Sequence, residues 1–124
     1  MMNLIRHLLV LSILAIIPLI SCNKAIQEVT ITYSITDSDS GFDVRYRNDE
    51  GNVVFEKVST DSESDVWKYT FEADPGEILF ISANYYDVNS KIKVRIMLDG
   101  KIFREASSRY DTSNFVVVSG TVPY

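Results

Sequence analysis

The chain has 124 residues, of which 46% are hydrophobic and 23% charged, with a formal net charge of −5, as expected for one domain of an acidic protein. The acidic balance argues against a nucleic-acid partner, which requires a basic surface. The single histidine, His7, and the single cysteine, Cys22, both lie near the N-terminus. The rest of the chain therefore has no disulfide, no Cys/His zinc site and no Ser–His or Cys–His catalytic pair.

The first 22 residues predict export and lipid attachment. A short basic start precedes an almost wholly apolar run of 13 residues, Leu8 to Ile20. This run has the length of a secretory signal core and is shorter than the ~20 residues of a membrane-spanning helix. Leu19-Ile20-Ser21-Cys22 resembles a bacterial lipobox, in which cleavage before the cysteine is followed by its acylation. The alternative is an ordinary signal peptide with a chance cysteine.

This interpretation divides the chain into a signal peptide at 1–21, an acylated Cys22 with a short linker at 22–28, and one domain at 29–124. Removal of the signal peptide takes away one arginine, so the mature chain has 11 Lys/Arg against 17 Asp/Glu and a net charge of −6. The six linker residues after Cys22 reach roughly 20 Å when extended, which keeps the domain near its bilayer. Asn23 stands where an Asp would favour inner-membrane retention in enterobacteria, so the outer membrane of the cell envelope is expected if the cell has one.

The mature chain shows the period-two alternation of half-buried strands from end to end, with no helical period. In the first strand Val29, Ile31, Tyr33 and Ile35 alternate with threonine and serine. The predicted strands are 29–36, 42–47, 53–58, 67–72, 78–86, 91–98, 101–106 and 115–118.

Turn residues separate these strands. Asp74-Pro75-Gly76-Glu77 has the composition of a type II turn, and Asp99-Gly100 between two apolar runs predicts a two-residue hairpin loop. Seven or eight short strands in about 100 residues predict an all-β fold, a single immunoglobulin-like antiparallel β-sandwich, with a closed barrel as the alternative. Trp67 is expected to be buried in its core, where truncation to alanine would cost roughly 3–5 kcal/mol.

The order of several segments resembles the extracytoplasmic domain of the mycobacterial membrane protein small (MmpS) family and related small bacterial lipoproteins. The segments begin with Val29–Thr36 and Val44–Asn48, continue through Trp67, and end with the isoleucine-rich strand that runs from Ile92 into Asp99-Gly100-Lys101. The resemblance implies an immunoglobulin-like sandwich and an accessory role beside resistance-nodulation-division exporters. This chain departs from the family in its lipobox, in Asp65-Val66 before the tryptophan, and in lacking a cysteine pair.

Two other patterns favour ordinary structural roles. Asp37-Ser38-Asp39-Ser40-Gly41 has some calcium-loop residues but not the EF-hand spacing, so a plain turn is expected and no metal site or cofactor is predicted. Six aromatic residues could form a sugar-stacking platform but are more typical of a core, although one of the adjacent Tyr85 and Tyr86 should face outward. The six are Trp67, Tyr69, Phe71, Phe80, Tyr85 and Tyr86.

The basic residues cluster late in the chain. Between Asp37 and Glu77 there are 12 acidic and 4 basic residues, whereas Lys91 to Arg109 holds 2 acidic and 6 basic residues. A two-residue loop at Asp99-Gly100 would place Arg95 directly opposite Arg104, where like charges repel. Either a neighbouring strand supplies acids, or Lys91, Lys93, Arg95 and Arg104 form an interaction face for an anionic headgroup or an acidic partner.

These observations predict a lipid-anchored envelope lipoprotein that is not an enzyme and acts as a binding or accessory module. Its partners would be the membrane, through the acyl chains, and a transporter or another envelope protein. The alternatives are a module that binds a glycan or another small molecule, and a purely structural lipoprotein. An exposed aromatic row would favour ligand binding, and a charged patch without a pocket would favour a protein partner.

Overall fold

The computed structural model describes residues 26–87, 89–108 and 114–124, which form an antiparallel β-sandwich. Its eight strands are β1 (Val29–Thr36), β2 (Phe42–Arg47), β3 (Val53–Val58), β4 (Trp67–Ala73), β5 (Ile78–Tyr85), β6 (Lys93–Leu98), β7 (Lys101–Ser107) and β8 (Phe115–Thr121). The predicted all-β sandwich is confirmed, with a later start for β6 and a longer β8. These residues include no helix that is long and apolar enough to cross a bilayer.

The strands pair into two four-stranded sheets. The first sheet has the order β4-β1-β6-β7 and the second has the order β3-β2-β5-β8. Strands β1, β2, β4 and β5 pair as the B, C, E and F strands of an immunoglobulin domain do, with β3 and β8 in the positions of C′ and G. The β6–β7 hairpin lies beside β1, where strand A would be.

Alternation along each strand places one set of side chains between the sheets. From the first sheet, Ile31, Tyr33 and Ile35 of β1 point into the core. From the second sheet, Val44 of β2 and Ile81 of β5 do the same, and all five side chains are at most 1% exposed. Most residues at the other parity lie on the outer side of each sheet and are more exposed, with Ser34 of β1, only 2% exposed, as an exception. The core is therefore built by position in the strand, and the outer faces are free to carry other side chains.

An aromatic cluster occupies the side of the core where β4 is an edge strand. The rings of Tyr33, Tyr46, Tyr69 and Phe71 lie with centroids 4.6 to 6.3 Å apart. Trp67 packs on Tyr46 at 5.3 Å and donates its Nε1–H to Glu56 Oε1 at 3.3 Å. Trp67 therefore packs against the opposite sheet as expected, but its side chain is only partly buried. The tryptophan instead covers the open seam between the edge strands β4 and β3.

Tyr33 ties the first sheet to the second with its hydroxyl group. Its ring is fully buried, and the hydroxyl donates to the carbonyl of Arg47 at 3.1 Å and accepts from the N–H of Phe80 at 3.3 Å. The ladder between β2 and β5 ends at Tyr46 and Ile81. The hydroxyl therefore forms hydrogen bonds with the backbone groups of Arg47 and Phe80, which lie just beyond the last pair of this ladder. Burial raises the pKa of Tyr33 to about 12.

The two turns with the clearest sequence signals form as predicted. Gly76 has φ of 88°, and the N–H of Glu77 donates to the carbonyl of Asp74 at 3.2 Å, as in a type II turn. Asp99 and Gly100 both have positive φ, the signature of a type I′ hairpin turn. Asp99 also accepts the N–H of Thr30 on Oδ1 at 3.0 Å, which fastens this turn to the start of β1.

Candidate binding surface

The outer face of the second sheet carries large apolar side chains where a solvated sheet would carry polar ones. Val53, Phe55, Ile78, Phe115 and Val117 are exposed on strands β3, β5 and β8. In β8 both parities are apolar, with Val116 and Val118 buried between the sheets and Phe115 and Val117 on the outside. Several exposed apolar side chains on one face mark interaction sites more often than scattered single ones do.

A depression of about 300 Å³ lies in the middle of this face. We call it the trough; it is lined by Asp43, Arg45, Phe55, Phe80, Ser82, Asn84, Phe115 and Val117.

Register explains the layout of the trough. One row across the sheet reads Phe55, Arg45, Ser82 and Val117, and the next row contains Asp43, Asn84 and Phe115. The two phenylalanines come from the edge strands β3 and β8, which lie about 14 Å apart because they are separated by three strand spacings. The polar side chains come from the two central strands. The trough therefore has aromatic walls and a mostly polar floor, to which Phe80 of β5 adds one more ring.

Two cations on this face lie against aromatic rings. The guanidinium carbon of Arg45 lies 5.6 Å from the centroid of Phe55, and Lys57 Nζ lies 5.8 Å from the centroid of Tyr86. Such contacts hold a long basic side chain in place without neutralising its charge. The Tyr86 hydroxyl donates to Asp43 Oδ1, and this bond raises the pKa of Tyr86. The carboxylate of Asp43 is thus already engaged, whereas Arg45 has no carboxylate within 4 Å among the described residues.

A larger depression of about 610 Å³ lies at the end of the sandwich where β1 begins. Its walls include the linker residues Ile26 to Glu28 and the C-terminal Pro123 and Tyr124. Apart from Val29, its lining residues lie in the linker, in turns and in the segment after β8, whereas every residue that lines the trough lies on a strand. The trough is accordingly the better-defined site.

The predicted basic face does not form the row of cations that the hairpin pattern indicated. Leu98 pairs with Lys101 and Met97 with Ile102 as expected, but a β-bulge then shifts the register. Beyond the bulge Arg95 lies opposite Glu105, and Arg104 lies opposite Ile96. The prediction that Arg95 faces Arg104 is therefore wrong. Arg95 instead forms an ion pair with Glu105, and the hydrogen bond from Arg95 lowers the pKa of Glu105.

The bulge has a packing reason in the opposite sheet. Gly120 of β8 has Phe103 and Arg104 so close that an added Cβ would lie 2.7 Å from Phe103 Cε1 and 3.7 Å from Arg104 Cγ. The additional residue of the bulge lets both side chains lie over Gly120, which closes the seam between β7 and β8. A contact between strands of different sheets thus sets the register of the hairpin.

The other cations of the predicted face have separate surroundings. Lys93 Nζ lies 3.7 Å from Asp37 Oδ2, in the loop that the sequence had suggested as a calcium-like turn. The Arg104 guanidinium stacks on Phe103 at 4.3 Å, and Lys91 is exposed before the start of β6. The repelling pair of Arg95 and Arg104, which was the reason to expect an interaction face here, does not form. Within the described part of the chain, no three His, Cys, Asp or Glu side chains are grouped to hold a metal ion.

The structure sorts the six aromatic residues of the proposed platform into two groups. Phe71 and Tyr85 are buried, and Trp67 and Tyr69 pack against the core, so the interpretation as core residues is confirmed for these four. Phe80 lines the trough and Tyr86 is exposed beside it, as one of the Tyr85–Tyr86 pair was expected to be. Sequence reasoning missed Phe55 and Phe115, although apolar residues at both parities of β8 were a usable signal. Cys22 and the signal peptide at 1–21 lie outside the described residues.

No protein-family model matches this chain, and no curated protein is significantly similar to it.

Proposed function

We propose that this protein is a lipid-anchored, non-catalytic binding module of the bacterial envelope that holds its ligand in the trough. The carrying observation is the combination of exposed phenylalanine walls with a floor of Asp43, Arg45, Ser82 and Asn84. Small-molecule sites are typically concave and largely apolar, with a few polar groups that orient the ligand. An aromatic row with a pocket is the feature expected of a ligand-binding module rather than of a purely structural lipoprotein.

The composition of the trough supports binding without catalysis. Asp43 is the one carboxylate among the described residues that line it, and glycoside hydrolysis normally requires two. Its remaining polar groups are a guanidinium, a hydroxyl and an amide, which suit hydrogen bonding to a ligand.

The anchor and the trough are compatible in geometry. β1 begins at Val29, only seven positions after Cys22, so the end of the sandwich that holds the start of β1 would face the bilayer. The trough lies on a lateral face, along strands that run away from that end. A ligand could therefore reach it without displacing the domain from the membrane.

The test is a ligand screen with matched variants. Soluble oligosaccharides and small metabolites would be screened by thermal shift against the wild type, Phe55→Ser/Phe115→Ser, and the control Ile102→Ser. Ile102 is an apolar side chain on the other sheet with the same 57% exposure as Phe55 and Phe115. Ligands that stabilise the wild type and the control but not the double variant support the proposal. Ligands that stabilise all three proteins equally, or a screen without any ligand, would overturn it.

The anchor is tested separately at the N-terminus. Mass spectrometry of the protein from its native membrane should show a mature chain that begins at acylated Cys22, and Cys22→Ala should leave the precursor uncleaved. A mature N-terminus with a free thiol at Cys22 would contradict lipid attachment.

A second candidate, an accessory subunit of a membrane exporter, has one observation in its favour. Val53 and Ile78, which are 66% and 60% exposed, extend the apolar surface beyond the trough toward the anchored end. A partner protein would cover this additional surface, whereas a small ligand would not. A photo-crosslinker at Val53 should then capture a membrane transporter in cells, and one at Lys68 on the other sheet should not. Equal capture from both positions would count against this candidate.

A further inference from the structure

The balance of charge in the trough indicates the chemical class of its ligand, which deepens the proposed function and rests on it. Asp43 accepts the Tyr86 hydroxyl, whereas Arg45 has no carboxylate within 4 Å among the described residues. Lys57 adds a second cation beside the trough, at the register position opposite Asp43. Among the described residues, Arg45 and Lys57 against Asp43 leave a positive surplus at the trough, although the domain as a whole is acidic. At physiological ionic strength the distant acids are screened over about 8 Å, so the nearby cations dominate.

The guanidinium of Arg45 is the group best suited to meet an anion here. Its fork of N–H donors matches the two oxygens of a carboxylate, and a charge-assisted pair of this kind is stronger than a neutral hydrogen bond. The Phe55 ring at 5.6 Å holds the guanidinium over the floor of the trough. Less side-chain entropy is lost when a preordered group binds its ligand.

The other lining groups favour a polyhydroxylated ring over a purely apolar anion. A fatty acid would bury Ser82 and Asn84 without hydrogen-bond partners, which costs free energy. A sugar ring offers hydroxyl groups to these two side chains and apolar C–H faces to the walls at Phe55 and Phe115. The volume of about 300 Å³ lies at the lower end of the usual range for ligand sites, which suits a single sugar unit.

We infer that the trough binds an acidic saccharide, with the sugar carboxylate on Arg45 and the ring between the phenylalanine walls. The ligand class is a uronic acid unit, free or within an anionic polysaccharide. Acidic peptides and neutral sugars are the competing ligands that the experiment separates.

The experiment compares one sugar in two charge states. Isothermal titration would measure binding of trigalacturonate and of its methyl ester, which keeps the ring and hydroxyls but removes the charge. The wild type should bind the acid about tenfold more tightly, or more, than the ester, the effect of one charge-assisted pair. Arg45→Gln should abolish this preference, and Arg45→Lys should keep part of it. Lys68→Gln, which removes one charge from an exposed position on the other sheet, should stay within about twofold of the wild type.

Each other outcome is decisive. Equal binding of acid and ester, lost in Phe55→Ser/Phe115→Ser, would overturn the inference and leave the binding function standing. An equal loss in Lys68→Gln and Arg45→Gln would show non-specific charge attraction and would overturn it too. If neither sugar binds while a poly-glutamate peptide does, the ligand is an acidic peptide and the inference is wrong. The melting temperature of each variant shows whether it is folded. If Arg45→Gln does not fold, the comparison of acid and ester is made with Arg45→Lys, which should show a reduced preference for the acid.

Discussion

Removal of the Tyr33 hydroxyl tests whether the buried phenol joins the two sheets. Tyr33→Phe keeps the ring in the core and removes the bonds to the Arg47 carbonyl and the Phe80 N–H. Each buried hydrogen bond contributes about 1 kcal/mol net, so the variant should lose about 2 kcal/mol of unfolding free energy at pH 8. Tyr124→Phe, which removes a hydroxyl group from a fully exposed side chain, is the control and should be as stable as the wild type.

The same substitution has a pH signature with a defined sign. Burial raises the pKa of Tyr33 from its ordinary value of 10.0 to about 12. The neutral phenol therefore stabilises the fold fully below pH 10, and this stabilisation is lost as the pH rises from 10 to 12. At pH 11 the ionisation of Tyr33 lowers the stability of the wild type by about 1.4 kcal/mol, a contribution that Tyr33→Phe lacks. Burial also raises the pKa of Tyr46 and of Tyr69, but both residues are present in the two proteins. The difference between the two proteins should thus narrow from about 2 to about 0.6 kcal/mol.

Urea unfolding at pH 8 and pH 11, followed by circular dichroism, measures both quantities. Equal stability of Tyr33→Phe and wild type at pH 8 would refute the bridging role of the hydroxyl. A difference that does not change between the two pH values would refute the argument that burial governs the ionisation of Tyr33.

Three further predictions concern the edge of the core, the hairpin turn and the ion pair. Trp67→Ala should lower the free energy of unfolding by about 2–3 kcal/mol, less than the 3–5 kcal/mol of a fully buried ring. The emission maximum of the native tryptophan should lie between those of buried and free indole, and a fully blue-shifted maximum would contradict partial exposure. Gly100→Ala should cost about 1 kcal/mol through its φ of 80° alone, because nothing lies within 4 Å of an added Cβ, and an unchanged urea midpoint would disprove this. The ion pair with Arg95 lowers the pKa of Glu105, so it stabilises the wild type above the ordinary glutamate pKa, and this stabilisation is lost as the pH falls through the lowered pKa. Glu105→Gln should lack this pH-dependent part of the stability. Parallel acid-unfolding curves of the two proteins would argue against the Arg95 pair.

The misplaced arginines show where local sequence reasoning fails in this fold. Alternation and turn composition predicted β6, β7 and the Asp99-Gly100 loop, and the first two pairs of the ladder agree with that prediction. The bulge comes from the packing of Phe103 and Arg104 over Gly120, which is on a strand of the opposite sheet. A register counted outward from a turn contains no information on such a contact. One additional residue was enough to replace a repelling pair with an attracting one.

The trough shows the same limit for the candidate site. Phe55 and Phe115 are 60 positions apart in the chain, and nothing in their local patterns predicts that β3 and β8 form the two edges of one sheet. The acylation of Cys22, in contrast, is predicted from the residues next to it, because a signal segment is recognised as a linear sequence.

The sequence by itself determined the all-β class, the strands, their turns and the buried parity of β1, β2, β4 and β6, because these depend on residues close together in the chain. The tertiary structure decided the order of strands in each sheet, the bulge that pairs Arg95 with Glu105, and the partial exposure of Trp67 at an edge. It also decided the gathering of Phe55, Arg45 and Phe115 on one outer face. These features depend on which strands become neighbours, and that choice is made by the packing of two whole sheets against each other.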